Sequence, residues 1–351
     1  MLSNDPPGSD EIEVTIFGKG VGEAIVAHIP DLGWVFVDSF LHNAEPISLT
    51  YLKRIGVSLD EVRCILLTHW HDDHVRGASL ALEQCTNASL AISQAYRSDE
   101  FRAMIRASQG LGTSNFTSGV TELVRCLSIL SGRGSVPKYC VPNRNIVLST
   151  TGNGVETLSP SDRDIHDFLL EVGKIDQALV SRLPAPNRND SSVACLVKVG
   201  SSLILLGADL ETKSKGSGWH EVCESGWHHQ GQAILCKAPH HGSPNAYYLP
   251  LWEKHIERSA PVVIAPYARG KRKLPQGADI ARIKRLQPDV TLAADVTLRA
   301  TQHPNRDVAN LMLRAGVKIY SRQTTIGVAR FRMPKGQQIW DRELEGLARA
   351  A

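Results

Sequence analysis

Seven consecutive residues, Thr68-His69-Trp70-His71-Asp72-Asp73-His74, constrain this chain more than any other feature. Three imidazoles and two carboxylates follow directly on the short apolar run at 63–67. Such a run reads as a buried strand, and residues at a strand's end sit on rigid support while their side chains open to a cleft. The two-residue spacing puts His69 and His71 on one side of extended chain. A turn after them sends Asp73 and His74 to a neighbouring position. Neutral imidazoles suit zinc and similar ions, and a carboxylate brings the charge that a second ion needs. The pattern predicts a strand feeding a rigid loop whose His69, His71, Asp73 and His74 ligate metal.

Other strand-like runs fall at 12–17, 24–29 and 34–37, separated by Gly18-Lys19-Gly20-Val21-Gly22 and closed by Asp38-Ser39. Their punctuation suits an antiparallel start. Residues 47–55 are helical in pattern. The stretch from about 79 to 140 reads as mostly helical, with helix-period apolar positions at 100–107 and 121–130. Strand character returns at 145–148 and 154–158. Ser161-Asp162-Arg163-Asp164 resembles a capping box that opens a helix at 165–172. The second half repeats the logic of the first. Strands at 193–199 and 203–206 run into Gly207-Ala208-Asp209, and a strand at 233–238 runs into Pro239-His240-His241-Gly242-Ser243. Further strands are expected at 262–265, 317–320 and 327–331. Consecutive strands lack crossover helices, so two β-sheets with helices outside fit better than a doubly wound sheet.

This order predicts a flexible segment at 1–10 and a single domain at 11–335. Within it, a helical insertion is expected near 80–140 and a basic one near 268–295. Residues 336–351 are expected as a tail. Seven scattered cysteines with no Cys-x-x-Cys pair argue against a disulfide framework and for reduced thiols in a cytoplasm. No apolar stretch is long enough to span a bilayer, and no signal-peptide pattern occurs. The net charge of +3 on 351 residues decides nothing about nucleic acid, so any basic patch is local.

Asp209 also stands at a strand end. A carboxylate there can bridge two ions, against the plainer role of capping a helix at Leu210-Glu211. Of the pair after 233–238, His240 is expected on the second ion. His241 is expected to hold substrate or protonate a leaving group. Arg269-Gly270-Lys271-Arg272-Lys273 is the sharpest basic run and could neutralise phosphates; the rival is a solvated loop.

Several of these segments together resemble a known family. Phe17-Gly-Lys-Gly-Val-Gly-Glu-Ala24, Val37-Asp38-Ser39 and Leu67-Thr-His-Trp-His-Asp-Asp-His-Val-Arg-Gly77 come first. Asn189-Asp-Ser-Ser-Val193, Leu206-Gly-Ala-Asp209, Lys237-Ala-Pro-His-His-Gly-Ser243, Gln302-His303-Pro304 and Thr325-Ile-Gly327 follow in order. The chain resembles the metallo-β-lactamase superfamily, and within it the branch found as the soluble domain of ComEC-type DNA-uptake proteins. That resemblance implies an αββα sandwich of two mixed β-sheets flanked by helices, holding two divalent ions, zinc or manganese. It makes Asp38 a residue that orients a ligating histidine. Many members supply a further histidine from mid-chain. Only His166 lies between His74 and Asp209 here, and the resemblance implies that Asn189 or water takes that place. Catalytic roles fall to Asp73, His241 and His303, and substrate contacts to Asn189, Ser243, Arg269, Lys271 and Arg272. The implied substrate is a phosphodiester in DNA, RNA or a nucleotide, without a membrane. The alternatives are a small ester, lactone, thioester or β-lactam, or a nucleic-acid-binding or regulatory module with a low-turnover site.

Overall fold

The computed structural model describes residues 2–99, 101, 118–173, 188–269, 272–295 and 326–351. The strand expected at 317–320, and the helix at 100–107 apart from residue 101, lie outside them. Two eight-stranded mixed sheets face each other. The first runs in the order Asp341–Gly346, Gly327–Pro334, Glu11–Gly18, Glu23–Ile29, Gly33–Val37, Val62–Leu67, Ser89–Ser93, Lys138–Cys140. Its neighbours are antiparallel up to Gly33–Val37 and parallel beyond. The second runs in the order Arg349–Ala350, Val290–Leu292, Val262–Ile264, Ala233–Lys237, Ser202–Leu206, Cys195–Val199, Gly154–Thr157, Arg144–Leu148. Its pairs from Val290–Leu292 to Ser202–Leu206 are parallel, and the rest antiparallel.

Side-chain alternation explains the layers. Val35 and Val37 point between the sheets, whereas Trp34 and Phe36 point outward under helices. Ile204 and Leu206 point inward from the second sheet, and Leu203 and Leu205 outward. Both faces of these central strands are therefore covered, which is why they read as near-continuous apolar runs. Helices Ile47–Arg54, Ala78–Gln84 and Ser118–Gly132 cover the first sheet through Leu49, Leu52, Leu82 and Leu123. Trp219, Trp252 and Ile283 cover the second. Four layers result, helix, sheet, sheet, helix, as the sequence leads one to expect.

Two expectations need correcting. The segment near 80–140 is not purely helical, because Ser89–Ser93 and Lys138–Cys140 extend the first sheet. Residues 336–351 are not a tail: Asp341–Gly346 pairs with the first sheet and Arg349–Ala350 with the second. Polar alternation in 341–346 hid an edge strand, whose outer side needs no apolar residues. The basic segment holds a hairpin, Tyr267–Arg269 with Arg272–Leu274, and the helix Gly277–Leu286. Ser161 and Asp164 do form reciprocal side-chain to backbone bonds at the start of Asp162–Gly173. No helix among the described residues is long and apolar enough to cross a membrane.

Candidate metal centre

Four parallel-linked strands end at one place. Gly33–Val37 delivers Asp38, Val62–Leu67 delivers the motif from Thr68, Ser202–Leu206 delivers Asp209, and Ala233–Lys237 delivers the histidine pair. Clefts beyond the carboxyl ends of parallel strands are where open α/β sheets place their ligand sites.

The first wall is built by hydrogen bonds around Asp38. Its Oδ1 accepts from the Thr68 amide at 2.8 Å, and its Oδ2 accepts from Thr68 Oγ1 at 2.8 Å and meets His74 Nδ1 at 2.7 Å. That last contact fixes the ring and turns His74 Nε2 to the cleft. His69 meets Thr68 Oγ1 through Nδ1 at 3.0 Å, and its Nε2 lies 2.8 Å from His71 Nδ1. Trp70 anchors the loop against Phe101 and Phe168 at 5.3 and 6.3 Å between ring centroids. The helix Ser118–Gly132 abuts it so closely that a Cβ on Gly119 would lie 2.0 Å from the Trp70 carbonyl oxygen.

The second wall turns on Asp209. Its Oδ2 lies 3.8 Å from His69 Nε2, 3.6 Å from His74 Nε2, 3.4 Å from His241 Nε2 and 3.9 Å from His240 Nε2. His241 Nε2 is also 3.8 Å from Asp73 Oδ2, which is 3.7 Å from His74 Nε2. Bonds of about 2.0–2.1 Å put nitrogen and oxygen ligands roughly 3.3 Å apart around one tetrahedral ion. These separations fit such an ion closely. They exceed ordinary hydrogen bonds, and His74 Nε2 and Asp209 Oδ1 are buried without a hydrogen-bond partner. Two carboxylates and three imidazoles thus converge, with His74 Nε2 and Asp209 Oδ1 held open. The donor set fits divalent metal, with His69, His74 and Asp209 as one group and Asp73, His74 and His241 as another.

Electrostatics agree. Burial alone would raise the Asp209 carboxyl, yet His241, His74 and His240 hold it well below the usual range. Burial would lower His74, but Asp209, Asp38 and Asp73 push it well above its ordinary value. His241 is likewise raised, mainly by Asp209 against burial. His69 falls well below, through burial and then His74 and His71. The Asp209 carboxylate stays charged and favours positive charge beside it.

Backbone strain gathers here too. Asp38, Ala208, His240 and His241 have φ of 61°, 45°, 42° and 55°. Left-handed backbone costs a non-glycine residue about 1–2 kcal/mol, and such residues collect where function over-determines the geometry.

The structure separates the two adjacent histidines, and not as their expected roles divide them. His241 is buried, with Nδ1 on the Ala265 carbonyl at 2.8 Å and Nε2 facing the carboxylates. His240 is 16% exposed and turns Nδ1 towards Glu211 at 3.4 Å. Asn189 donates to Glu211 Oε1 at 2.8 Å and lies 3.4 Å from His240 Nε2, on the same side. Ser243 closes the turn with its amide on the His240 carbonyl at 2.9 Å. His166 is exposed on Asp162–Gly173. Arg269 is exposed on the hairpin. Lys271, His303 and the Arg272 side chain lie outside the described residues.

Three contributors were missed. Glu23 and Lys237 are buried beside the site and pair at 2.7 Å; a lone lysine in an apolar strand was the available signal. Tyr267 stacks on His241 at 5.3 Å and 27°. Nothing local in the sequence announces that stack, because the partners meet only in the fold.

The profile of the metallo-beta-lactamase superfamily matches residues 24–211. The chain belongs to that superfamily. Its members are metal-dependent hydrolases, and the match takes in Asp38, the histidine motif and Asp209. Among solved structures, a metallo-beta-lactamase from Cronobacter sakazakii is similar at 15% identity and a TM-score of 0.34, covering 57% of this chain and 63% of that one. This metallo-beta-lactamase-superfamily chain therefore spans less than two thirds of that protein's length. A beta-lactamase from Chitinophaga pinensis is similar at 15% identity and 0.33, covering 65% and 78%. The metallo-beta-lactamase MIM-2 is similar at 16% and 0.35, covering 73% and 84%. No curated protein matches the sequence.

Proposed function

We propose that this hydrolase is a phosphodiesterase acting on DNA, RNA or a nucleotide. One observation carries the reading. The basic hairpin is seated on the candidate metal centre, with Tyr267 stacked on His241 and the Ala268 amide on the Gly20 carbonyl at 2.5 Å. Arg269 and Lys273 belong to the same hairpin as Tyr267. Phosphates are bound chiefly by such cations. Lys19, in the adjoining glycine turn, feels both burial and the charge of Arg76, which lower its pKa. The order of motifs resembling the ComEC branch supports the same substrate class. The seven free cysteines support a reducing, cytoplasmic setting.

In this reading His69, His71, Asp73, His74, Asp209 and His241 would hold divalent ions, zinc or manganese. Ions bound there would supply hydroxide near neutral pH and polarise an oxygen of the attacked centre. Asp73, 12% exposed, orients the attacking water and takes its proton. Asp38 fixes the His74 ring. His240, steered by Glu211 and Asn189, faces the leaving oxygen, and Arg269 and Lys273 bind the flanking phosphates.

The test is hydrolysis of labelled single- and double-stranded DNA, RNA and bis-p-nitrophenyl phosphate with Mn²⁺ or Zn²⁺. A chromogenic β-lactam and a lactone run beside them, with Asp209→Ala as control. The expected result is metal-dependent phosphodiester cleavage, reduced more than about a hundredfold in Asp209→Ala, beyond the loss typical of an outer partner. Turnover of the lactam or lactone alone would move the substrate to carbon esters or amides. Nucleic-acid binding without cleavage would leave a binding module.

A further inference from the structure

Beneath the metal centre, the sandwich carries a pair of charges that the mechanism above does not use. Lys237 ends its strand on the inward face, and Glu23 begins its strand on the inward face of the opposite sheet. Both are buried, at 0% and 1% exposure, and Lys237 Nζ lies 2.7 Å from Glu23 Oε1. The pair therefore crosses between the sheets at the end where the site opens. Burial alone would lower the lysine, but Glu23 and then Asp209 outweigh it and keep it charged.

What the two side chains touch is specific. Lys237 Nζ also donates to the Ala208 carbonyl at 3.0 Å, and that oxygen accepts the His240 amide at 2.8 Å. Ala208 is the left-handed residue that turns Asp209 into the cleft. The other oxygen, Glu23 Oε2, makes no hydrogen bond and lies 3.7 Å from His241 Nδ1. One ion pair thus holds the carbonyl before Asp209, which also holds the backbone entering the histidine turn, and places a carboxylate oxygen behind the His241 ring. A pair that served packing alone would have no reason to meet all three. Buried pairs are weak contributors to stability in any case, because desolvation offsets their attraction.

We propose that Glu23 and Lys237 are positioning residues that set Asp209 and His241 for metal, acting on ion affinity rather than on folding. This rests on the metal-centre reading above. Removing one partner strands a buried charge and is expected to disrupt the fold. The informative variant is therefore the double replacement Glu23→Met with Lys237→Met, which conserves volume.

Two measurements on the full chain decide it. Chelator-treated wild type and variant are melted, and each is titrated with Co²⁺ while the visible ligand-field spectrum is recorded. The expected result is a melting temperature near that of wild type, with Co²⁺ bound roughly 10–100-fold more weakly, as for absent outer-shell partners, and an altered spectrum. Wild-type affinity and spectrum in the variant would overturn the proposal. A large fall in the metal-free melting temperature would overturn it too, since the pair would then serve the fold. If wild type itself takes up no Co²⁺, the metal-centre reading fails and this inference with it.

Discussion

The two walls of the site are held in different ways. In the first, Asp38, Thr68 and His74 form a hydrogen-bonded knot from two paired strand ends and the loop after the second. In the second, Asp209 and His241 rest on left-handed backbone backed by an ion pair that spans both sheets. The first wall is local and carries its own support. The second borrows support from the opposite sheet, so its geometry depends on how the two sheets are stacked.

Among single substitutions that leave every metal ligand in place, the largest effect is expected from breaking the first wall. Asp38→Asn keeps the shape but weakens the hydrogen bond that fixes His74, and metal affinity or activity should fall roughly 10–100-fold. Isothermal titration of the metal-free protein checks this. An unchanged affinity would make Asp38 a mere packing residue and leave the second wall as the principal organiser.

A smaller effect is expected at the rim that the second wall carries. Replacing Arg269 and Lys273 by alanine should weaken nucleic-acid binding and reduce the salt dependence. The slope of log K against log [salt] should drop by about one for each phosphate that is no longer neutralised. A slope equal to that of wild type would show that the hairpin meets solvent rather than phosphate.

The smallest effect is expected at an ion pair far from both walls. Glu156 accepts from Lys198 at 2.6 Å and meets His229 at 2.9 Å. Burial raises this carboxyl, but Lys198 and then His229 outweigh it and leave it below its usual value of 4.5. A lowered carboxyl contributes stability above its unfolded pKa and loses it as pH falls through the folded one. Glu156→Gln should therefore cost about 1 kcal/mol or less near neutrality, as for a partly exposed pair, and progressively less as pH falls below the usual carboxylate range and through the lowered folded pKa. Melting curves at pH 7 and pH 3.5 test the sign. A deficit that grows on acidification would refute it.

How much was legible follows the same division. The histidine motif of the first wall could be read because its residues are neighbours in sequence and follow an apolar strand, whereas its tie to Asp38 joins residues far apart in the chain. The strands ending at Val37, Leu67, Leu206 and Lys237 were legible as apolar runs. Residues 341–346 were not, since an edge strand with a solvent side shows no apolar run. The division of labour between His240 and His241 was not legible either. Adjacent side chains diverge, but which one enters the cleft is set by left-handed backbone at both positions and by Ala265 behind His241. Glu23 meets Lys237 across more than two hundred residues of chain, and no local pattern reports such a pairing.

The cluster of left-handed residues bears on how the enzyme ages under heat. Asp38, Ala208, His240 and His241 each gain by relaxing to ordinary backbone, and only the surrounding sheets prevent it. Four of the eight left-handed non-glycine residues among those described thus stand at this one cleft. Warming is expected to loosen the cleft before the sandwich melts, which metal affinity followed against temperature below the melting transition would check.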